Sequence, residues 1–487
     1  MKGMITKRYY LGMILVFLGF LNSCQKEDYR ENYPLPYHGN IYSYDLGAGQ
    51  VGRAKIINTY DENKVEVEVE YGTDLSNLIS IIKISPGATI EPASGASVDF
   101  SQDNQVIYTV TAPSGRVYEW TVVVIEQEDP NAIKLELIPN IGNWADGIEV
   151  FSDLSYNKYL TRSSGWNGGD GAVSLGLPDG STLWSFQDSF FGNVTVDRIR
   201  QNNAFTRNAG FLQLNQELDS YVQLNPVTSG ETGTWIEYPG ANENNDDKWY
   251  WGGPAQIIGN EVQMLFGHVE NGFFGAYHVS TDVAIYELPD MTFKELIQDK
   301  YVGSLTWDSS IFKSNDGYTY LYASEGYGIC ASKVYSARVE GQDLRGTWEY
   351  FTINGWVSSP PENNEDFEVV LDANATQPNV FAENGKYYMV SQSSCYGLDI
   401  NIWESDSPSG PFTNQRTIYK IPEKYTQDSM QGPGYITYNA VVHPSLSLDG
   451  ELVISYNINP IGFEHNFNTP GSADNYRPYF VRVYNWK

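Results

Sequence analysis

The sequence predicts an all-β chain, with a small β-domain in front and a five-bladed β-propeller behind it. Three observations lead there. Short apolar runs are punctuated throughout by Gly, Asn, Asp and Ser, which is strand-and-turn patterning rather than helical periodicity. Several stretches alternate strictly, as VEVEVEY does from Val65 to Tyr71, so that every second side chain lies on a buried face. A strand–turn–strand unit recurs along the C-terminal two thirds, the mark of a propeller or a solenoid. A chain of 487 residues also exceeds one ordinary core.

The first 24 residues read as an export signal. Lys2, Lys7 and Arg8 precede the apolar run Leu11–Leu21, which is too short to span a bilayer. The run ends in Leu21-Asn22-Ser23-Cys24. These four residues resemble a bacterial lipobox, which implies acylation of Cys24. Gln25-Lys26-Glu27-Asp28 resembles the acidic export signal of Bacteroidetes surface lipoproteins. Residues 25–42 then form a tether, and the expected location is the outer membrane, facing outside, with membrane contact through the lipid alone.

Residues 43–127 read as the small β-domain. Val65–Tyr71, Val106–Thr111 and Tyr118–Ile125 alternate, with the turn Pro113-Ser114-Gly115 between the last two. The stretch YGTDLSNLISIIKISPGATIEPASGASVDF resembles the Ig-like β-sandwich repeats of Bacteroidetes surface lipoproteins, which implies a spacer role. The run Glu126–Pro130 is a linker, and residues 133–487 form the propeller.

The propeller units are GDGAVSLGLPDGSTLWSFQDSFFG (169–192), WYWGGPAQIIGNEVQMLFGHVENG (249–272), SLTWDSSIFKSNDGYTYLYASEGYG (304–328), NATQPNVFAENGKYYMVSQSSCYG (374–397) and NAVVHPSLSLDGELVISYNIN (439–459). Asp179-Gly180, Asn384-Gly385 and Asp449-Gly450 are hairpin turns. Equivalent positions fall at 170, 253, 308, 377 and 443.

In a hairpin, residues equidistant from the turn lie side by side. Asp170 and Asp188 are equidistant from Asp179, and Asp308 and Glu325 flank Asp316-Gly317 in the same way. His268, Gln377, His443 and Asn457 fall at the same ends of their hairpins. Inner strands of blades converge on the axis, so these groups are expected to ring one mouth. Crowded carboxylates in a cleft raise one another's pKa, as a general acid requires. Aromatics near the mouth, above all Trp251 and Trp307, offer faces for sugar rings, with Trp249-Tyr250-Trp251 the expected platform. Cys330 and Cys395 either close a disulfide between two mouth loops or remain separate thiols.

The carboxylates at the blade starts resemble the glycoside hydrolase family 43 and 32 group. GDGAVSLGLPDGSTLWSFQDSFFG also resembles the "DGA…LPDGRTLWLFGDTF" propellers that include endo-D-arabinanases of family 183. The resemblance implies a two-carboxylate glycoside hydrolase acting on a furanose-containing, arabinan-like polysaccharide or oligosaccharide, and carboxylates on different blades, such as Asp170 or Asp188 with Asp308 or Glu325, suit the wider gap of an inverting mechanism. It implies catalytic roles for Asp170, Asp188, Asp308 and Glu325. Substrate contacts then fall to His268, Trp251, Trp307, Gln377, His443 and Asn457. No cofactor is required; a structural calcium ion at the axis is compatible with the pattern, and His443 is similar to a propeller-axis histidine that orients a water or a calcium ion. The alternatives are a non-catalytic glycan-binding lipoprotein and a polysaccharide lyase. The net charge of −30 opposes nucleic acid as a partner. No CxxC pair, HExxH, GxSxG or Gly-rich phosphate loop supports zinc, serine-hydrolase or nucleotide chemistry.

Overall fold

The computed structural model describes residues 38–47, 49–59, 61–273, 275–327, 330–373, 375–423 and 434–487. Cys24 and the expected signal and tether segments, as far as residue 37, lie outside them. The described residues form two compact units, the second running from Asn131 to Lys487.

The first unit is all-β. Gln50–Asn58, Asn63–Val69, Val117–Glu126, Gln105–Thr111 and Thr89–Glu91 form one sheet in that order. Asn63–Val69 and Val117–Glu126 run parallel; the other pairings are antiparallel. The alternation in the sequence is realised directly. Val65, Val67 and Val69 are buried, as are Trp120, Val122 and Val124. They pack with Tyr44, Phe100 and Tyr108 in one core.

Among its described residues the second unit contains seven antiparallel sheets; five of them, here numbered I to V, recur along the chain, and the other two are a three-stranded sheet opened by Ser164–Gly169 and the small pair Val227–Thr228 with Glu231–Thr232. Each of the five begins with a hairpin and adds strands outward. The opening strands are Val173–Gly176, Lys248–Ile258, Thr306–Lys313, Ala375–Glu383 and Tyr435–Val442. Sheet V is completed from both ends of the unit. Glu149–Asp153 pairs with the final strand Pro478–Tyr484, which pairs with Glu451–Pro460.

The second strands of these sheets are covered on both faces, whereas outer strands such as Thr292–Val302 are largely exposed. Every residue of Thr182–Phe186 is buried, as expected of a strand covered on two sides. A separate apolar seam fills each gap between successive sheets. Leu183 meets Phe266 between I and II, Leu265 meets Leu321 between II and III, and Tyr322 meets Met389 between III and IV. Val390 packs with Ile454 between IV and V. The last seam, with Trp184, Phe186, Val453 and Phe480, joins V back to I. The second unit is therefore an all-β, propeller-type arrangement.

The opening strands of sheets II to V share one irregularity. Each carries extra residues against its partner, between Gly252 and Ala255, Thr306 and Ser310, Thr376 and Asn379, and Tyr438 and Val441. Such a β-bulge bends the strand and re-aims the side chains at the bend.

Candidate active site

The hairpin of sheet I continues past the sheet into a second ribbon. Ser164–Gly169 pairs with Ser189–Val194, and Val173–Gly176 pairs with Thr182–Phe186; one register runs from the turn as far as Gly168, and a bulge shifts it by one residue before Trp166. Asp170 and Asp188 sit at the junction. Asp170 N–H donates to the Asp188 carbonyl at 3.2 Å, and Gln187 N–H donates to the Asp170 carbonyl at 2.8 Å. The turn at Asp179-Gly180 thus brings the two aspartates together, as the sequence predicts.

Asp170 Oδ2 accepts from the Tyr438 hydroxyl at 2.8 Å, while its buried Oδ1 has no partner. Burial, and then the neighbouring Asp188, hold its pKa well above the usual carboxylate range. Burial also raises Asp188, against the Arg207 guanidinium at 3.5 Å and the Trp251 indole N–H at 3.1 Å from Oδ1. The pair is asymmetric, since only Asp188 has a cation beside it.

Asp170 opens on a cavity of about 400 Å³, also lined by Trp251, Tyr277, His278, Asp308, Gln377 and Asn439. A narrower space of about 180 Å³ continues between the five opening strands and shares Gln187, Asp308, Ser309 and Gln377 with it. Asp308, Gln377 and Asn439 all lie in the bulges, as does Gly253, which lines the narrower space. Gln377 and Asn439 take left-handed backbone, with φ 49° and 55°, which turns their side chains inward off the pleat.

The bulges also correct several expectations. Asp308 does not pair with Glu325, because the extra residues between Thr306 and Ser310 carry it past that register. Ser324, not Glu325, lines the cavity. Glu325 accepts from Tyr335 at 2.7 Å and from Asn364 at 3.3 Å. Its partial burial would raise its pKa, but these bonds and Lys333 hold it below the usual value.

His443 stands four residues beyond the fifth equivalent position, which is Asn439. It is fully buried, with Nδ1 2.8 Å from Ser174 Oγ and Nε2 2.8 Å from Ser455 Oγ. Burial pushes its pKa down to about 3, so it is a neutral link between sheets I and V.

Three further residues lie off the cavity. Trp307 is wholly buried against Tyr301, Tyr350 and Phe367. His268 is stacked on Tyr238 at 3.7 Å, and burial lowers its pKa. Asn457 donates to the Gly169 carbonyl at 3.0 Å, supporting the backbone before Asp170. In the expected platform only Trp251 reaches the cavity; Trp249 is covered by Arg207 at 4.0 Å, and the Tyr250 hydroxyl donates to Asp282.

Sequence reasoning missed Tyr438, Asn439 and His278. Asn439 was within reach, since it opens the fifth quoted unit. Cys395 is disulfide-bonded, and the side chain of Cys330 lies outside those described.

Around the axis, Asp308 Oδ1 and Gln377 Oε1 are buried oxygens without a hydrogen-bond donor. They are hard donors of the type calcium takes. Among the described residues, no three His, Cys, Asp or Glu gather as a metal-binding group.

Residues 153–486 match the family model described as a domain of unknown function, DUF5005. Residues 43–124 match the model described as SGBP, N-terminal. Among solved structures, the chain is similar to a candidate hydrolase from Bacteroides ovatus ATCC 8483. The two are 34% identical with a TM-score of 0.66, over 74% of this chain and 98% of that one. A GH43_1 enzyme from Xanthomonas citri, solved with xylotriose, matches at 12% identity and a TM-score of 0.38, over 67% of this chain and 92% of that one. A xylan β-1,4-xylosidase from Bacillus halodurans C-125 matches at 10% and 0.41, over 67% and 54%. No curated protein matches the chain.

Proposed function

The chain belongs to the DUF5005 family, and from that premise we propose that its second unit is a five-bladed β-propeller that hydrolyses glycosidic bonds. The observation that carries this reading is the pair of carboxylates, Asp170 and Asp308, on one cavity beside the half-buried indole of Trp251. Two carboxylates are the minimum for the reaction, one to protonate the leaving oxygen and one to activate water. The ring of Trp251 offers a face for the sugar, and Gln377 and Asn439 offer amides to its hydroxyls. The Bacteroides ovatus relative, described as a candidate hydrolase, points the same way.

Asp170 and Asp308 stand on different sheets. That suits an inverting enzyme, whose carboxyl groups are about 6.5–9.5 Å apart to admit a water, better than a retaining one at about 5–5.5 Å. The substrate we assign is a furanose-containing, arabinan-like polysaccharide, on the resemblance of the 169–192 stretch to family 183. The first unit serves as an Ig-like spacer, and Cys24 as a lipid anchor holding the enzyme outside the outer membrane. The chemistry requires no cofactor; a structural calcium ion at the axis would draw on Gln377 Oε1, leaving Asp308 free for the reaction.

A second reading is a surface protein that binds glycan without cleaving it. It is favoured by the amides and glycine at three of the five bulge or junction positions, Gly253, Gln377 and Asn439, where carboxylates would serve catalysis. Incubation with a polysaccharide panel, read by chromatography, separates the two. Released oligosaccharides, lost in Asp170→Asn and in Asp308→Asn, support hydrolysis. A glycan bound but returned intact supports capture, and an unsaturated product absorbing in the ultraviolet would mean a lyase.

A further inference from the structure

We propose that the hollow lined by Tyr396 and Phe463, on the rim made by sheets IV and V, is a second sugar-binding site that holds the substrate chain beyond the sugar seated in the cavity. This deepens the glycan reading above and rests on it.

The hollow has a volume of about 410 Å³ and is lined by Tyr396 from sheet IV and by Ile436, Asn459, Ile461 and Phe463 from sheet V and the turn after it. It adjoins the cavity. Ile436 and Tyr438 are alternate residues of one strand, so their side chains leave the same face of it; the first lines the hollow and the second the cavity. Asn459 Nδ2 donates to the Tyr438 hydroxyl at 3.3 Å, and that hydroxyl donates to Asp170. The Asn459–Tyr438 pair therefore stands between the two spaces, and a chain that leaves Asp170 over it enters the hollow.

Tyr396 is presented on a strained turn. It and Cys395 both take left-handed backbone, with φ 61° and 55°. Bulky side chains rarely adopt this conformation, and such residues cluster at active sites and ligand clamps. Cys395 is disulfide-bonded. Gly397 N–H donates to the Ser393 and Ser394 carbonyls at 3.1 and 3.2 Å. Gln392 Nε2 donates to the Gly397 carbonyl at 2.7 Å and to the Thr437 carbonyl at 3.0 Å, which ties this loop of sheet IV to the opening strand of sheet V beside Ile436. The turn so fixed leaves Tyr396 44% exposed.

Phe463 comes from the other sheet. Its ring lies 5.7 Å from those of Phe190, Phe205 and Phe467, which hold it in place, yet the residue is 50% exposed. In the same hollow Asn459 Oδ1 accepts from Asn466 Nδ2 at 3.1 Å, which fixes the amide and leaves one Nδ2 hydrogen for a hydroxyl. Two aromatic rings with one fixed amide match a sugar, whose C–H face stacks and whose edge carries hydroxyls. A stable protein interface engages about 20–30 residues a side; seven described residues make this hollow.

Two variants test the site. Tyr396→Gly removes the ring and suits the backbone, since glycine adopts positive φ freely. Phe463→Leu removes the ring and keeps an apolar side chain among the phenylalanines. On whichever panel polysaccharide is cleaved, each is expected to lower the ratio of kcat/KM on the polymer to kcat/KM on its shortest cleaved oligosaccharide about 3- to 10-fold, and Tyr396→Phe to keep the parent's ratio. A ratio unchanged in either ring-removing variant overturns the second site and leaves hydrolysis standing. If the parent binds a polysaccharide without cleaving it, hydrolysis fails, and the site is read by retardation in gels containing that polysaccharide. Weaker retardation of both variants supports the site, and equal retardation overturns it. A parent that neither cleaves nor binds any panel glycan overturns both readings. A parent that is dimeric by size exclusion and monomeric as Phe463→Leu assigns the hollow to a second copy of the chain and overturns the sugar site.

Discussion

Asp170 is buried, lacks a partner at Oδ1 and faces a second carboxylate. Its pKa is raised from 3.8 on folding, so its ionised form costs stability. That cost is absent below the unfolded value and grows as pH climbs toward the folded one. Asp170→Asn removes it and still accepts from Tyr438. The variant is expected to lose turnover yet melt about 2 °C or more higher than the parent at pH 8, with the gain vanishing near pH 4. Calorimetry at both pH values checks this; an equal gain at both would refute the buried-charge account. The proximity of Asp170 to Asp188 was legible in the sequence, because one tight turn sets the register of both. The roles of Trp307 and His268 were not, because an aromatic or a histidine near a strand end reads alike whether it faces a seam or a cavity. His278 lies on a third strand, outside the repeating hairpin, and only tertiary packing brings it to the cavity.

Elements decide which side chains reach the cavity. The five hairpins were legible from their turns, but the bulges were not, since one or two extra residues leave no mark in composition. Those residues carry Asp308 out of register with Glu325 and put Asn439, not His443, at the fifth equivalent position. Two predictions belong here. His443→Ala strands the hydroxyls of Ser174 and Ser455 and opens a hole beside Trp184 and Phe480. It is expected to destabilise the unit by about 2–5 kcal/mol, measured by urea unfolding, without changing KM for a cleaved glycan; a raised KM at unchanged stability would restore the substrate-binding role. Asn439→Val puts a β-branched side chain at φ 55° and is expected to cost roughly 1–2 kcal/mol. Asn439→Gly keeps the backbone and isolates the loss of the amide, so comparing the two separates the bulge from the contact.

For the whole second unit, closure depends on one strand from its beginning. Glu149–Asp153 lies beside Pro478–Tyr484, and the join is pinned by a buried cation. Arg482 Nε is 2.7 Å from Asp153 Oδ2, and Nη1 is 2.8 Å from Glu451 Oε2. Asp153 also caps the helix Leu154–Tyr159 through the Tyr156 N–H at 2.9 Å. Arg482→Met would fill similar volume but leave two buried carboxylates without their cation. Loss of one partner from such a pair costs about 3–5 kcal/mol, and here the loss falls on the strand that joins the two ends of the unit. Burial acts to raise the Glu451 pKa, but the Tyr484 hydroxyl, the Leu448 N–H and Arg482 hold it below its ordinary 4.5. A carboxyl with a lowered pKa gives stability that is present above its unfolded value and lost as pH falls through the folded one. The deficit of Arg482→Met should therefore be full at pH 7 and shrink on acidification below about pH 4.5. Urea unfolding across that range reads it directly. A deficit that stays constant with pH would assign the cost to packing around Met and not to the ion pairs that close the ring.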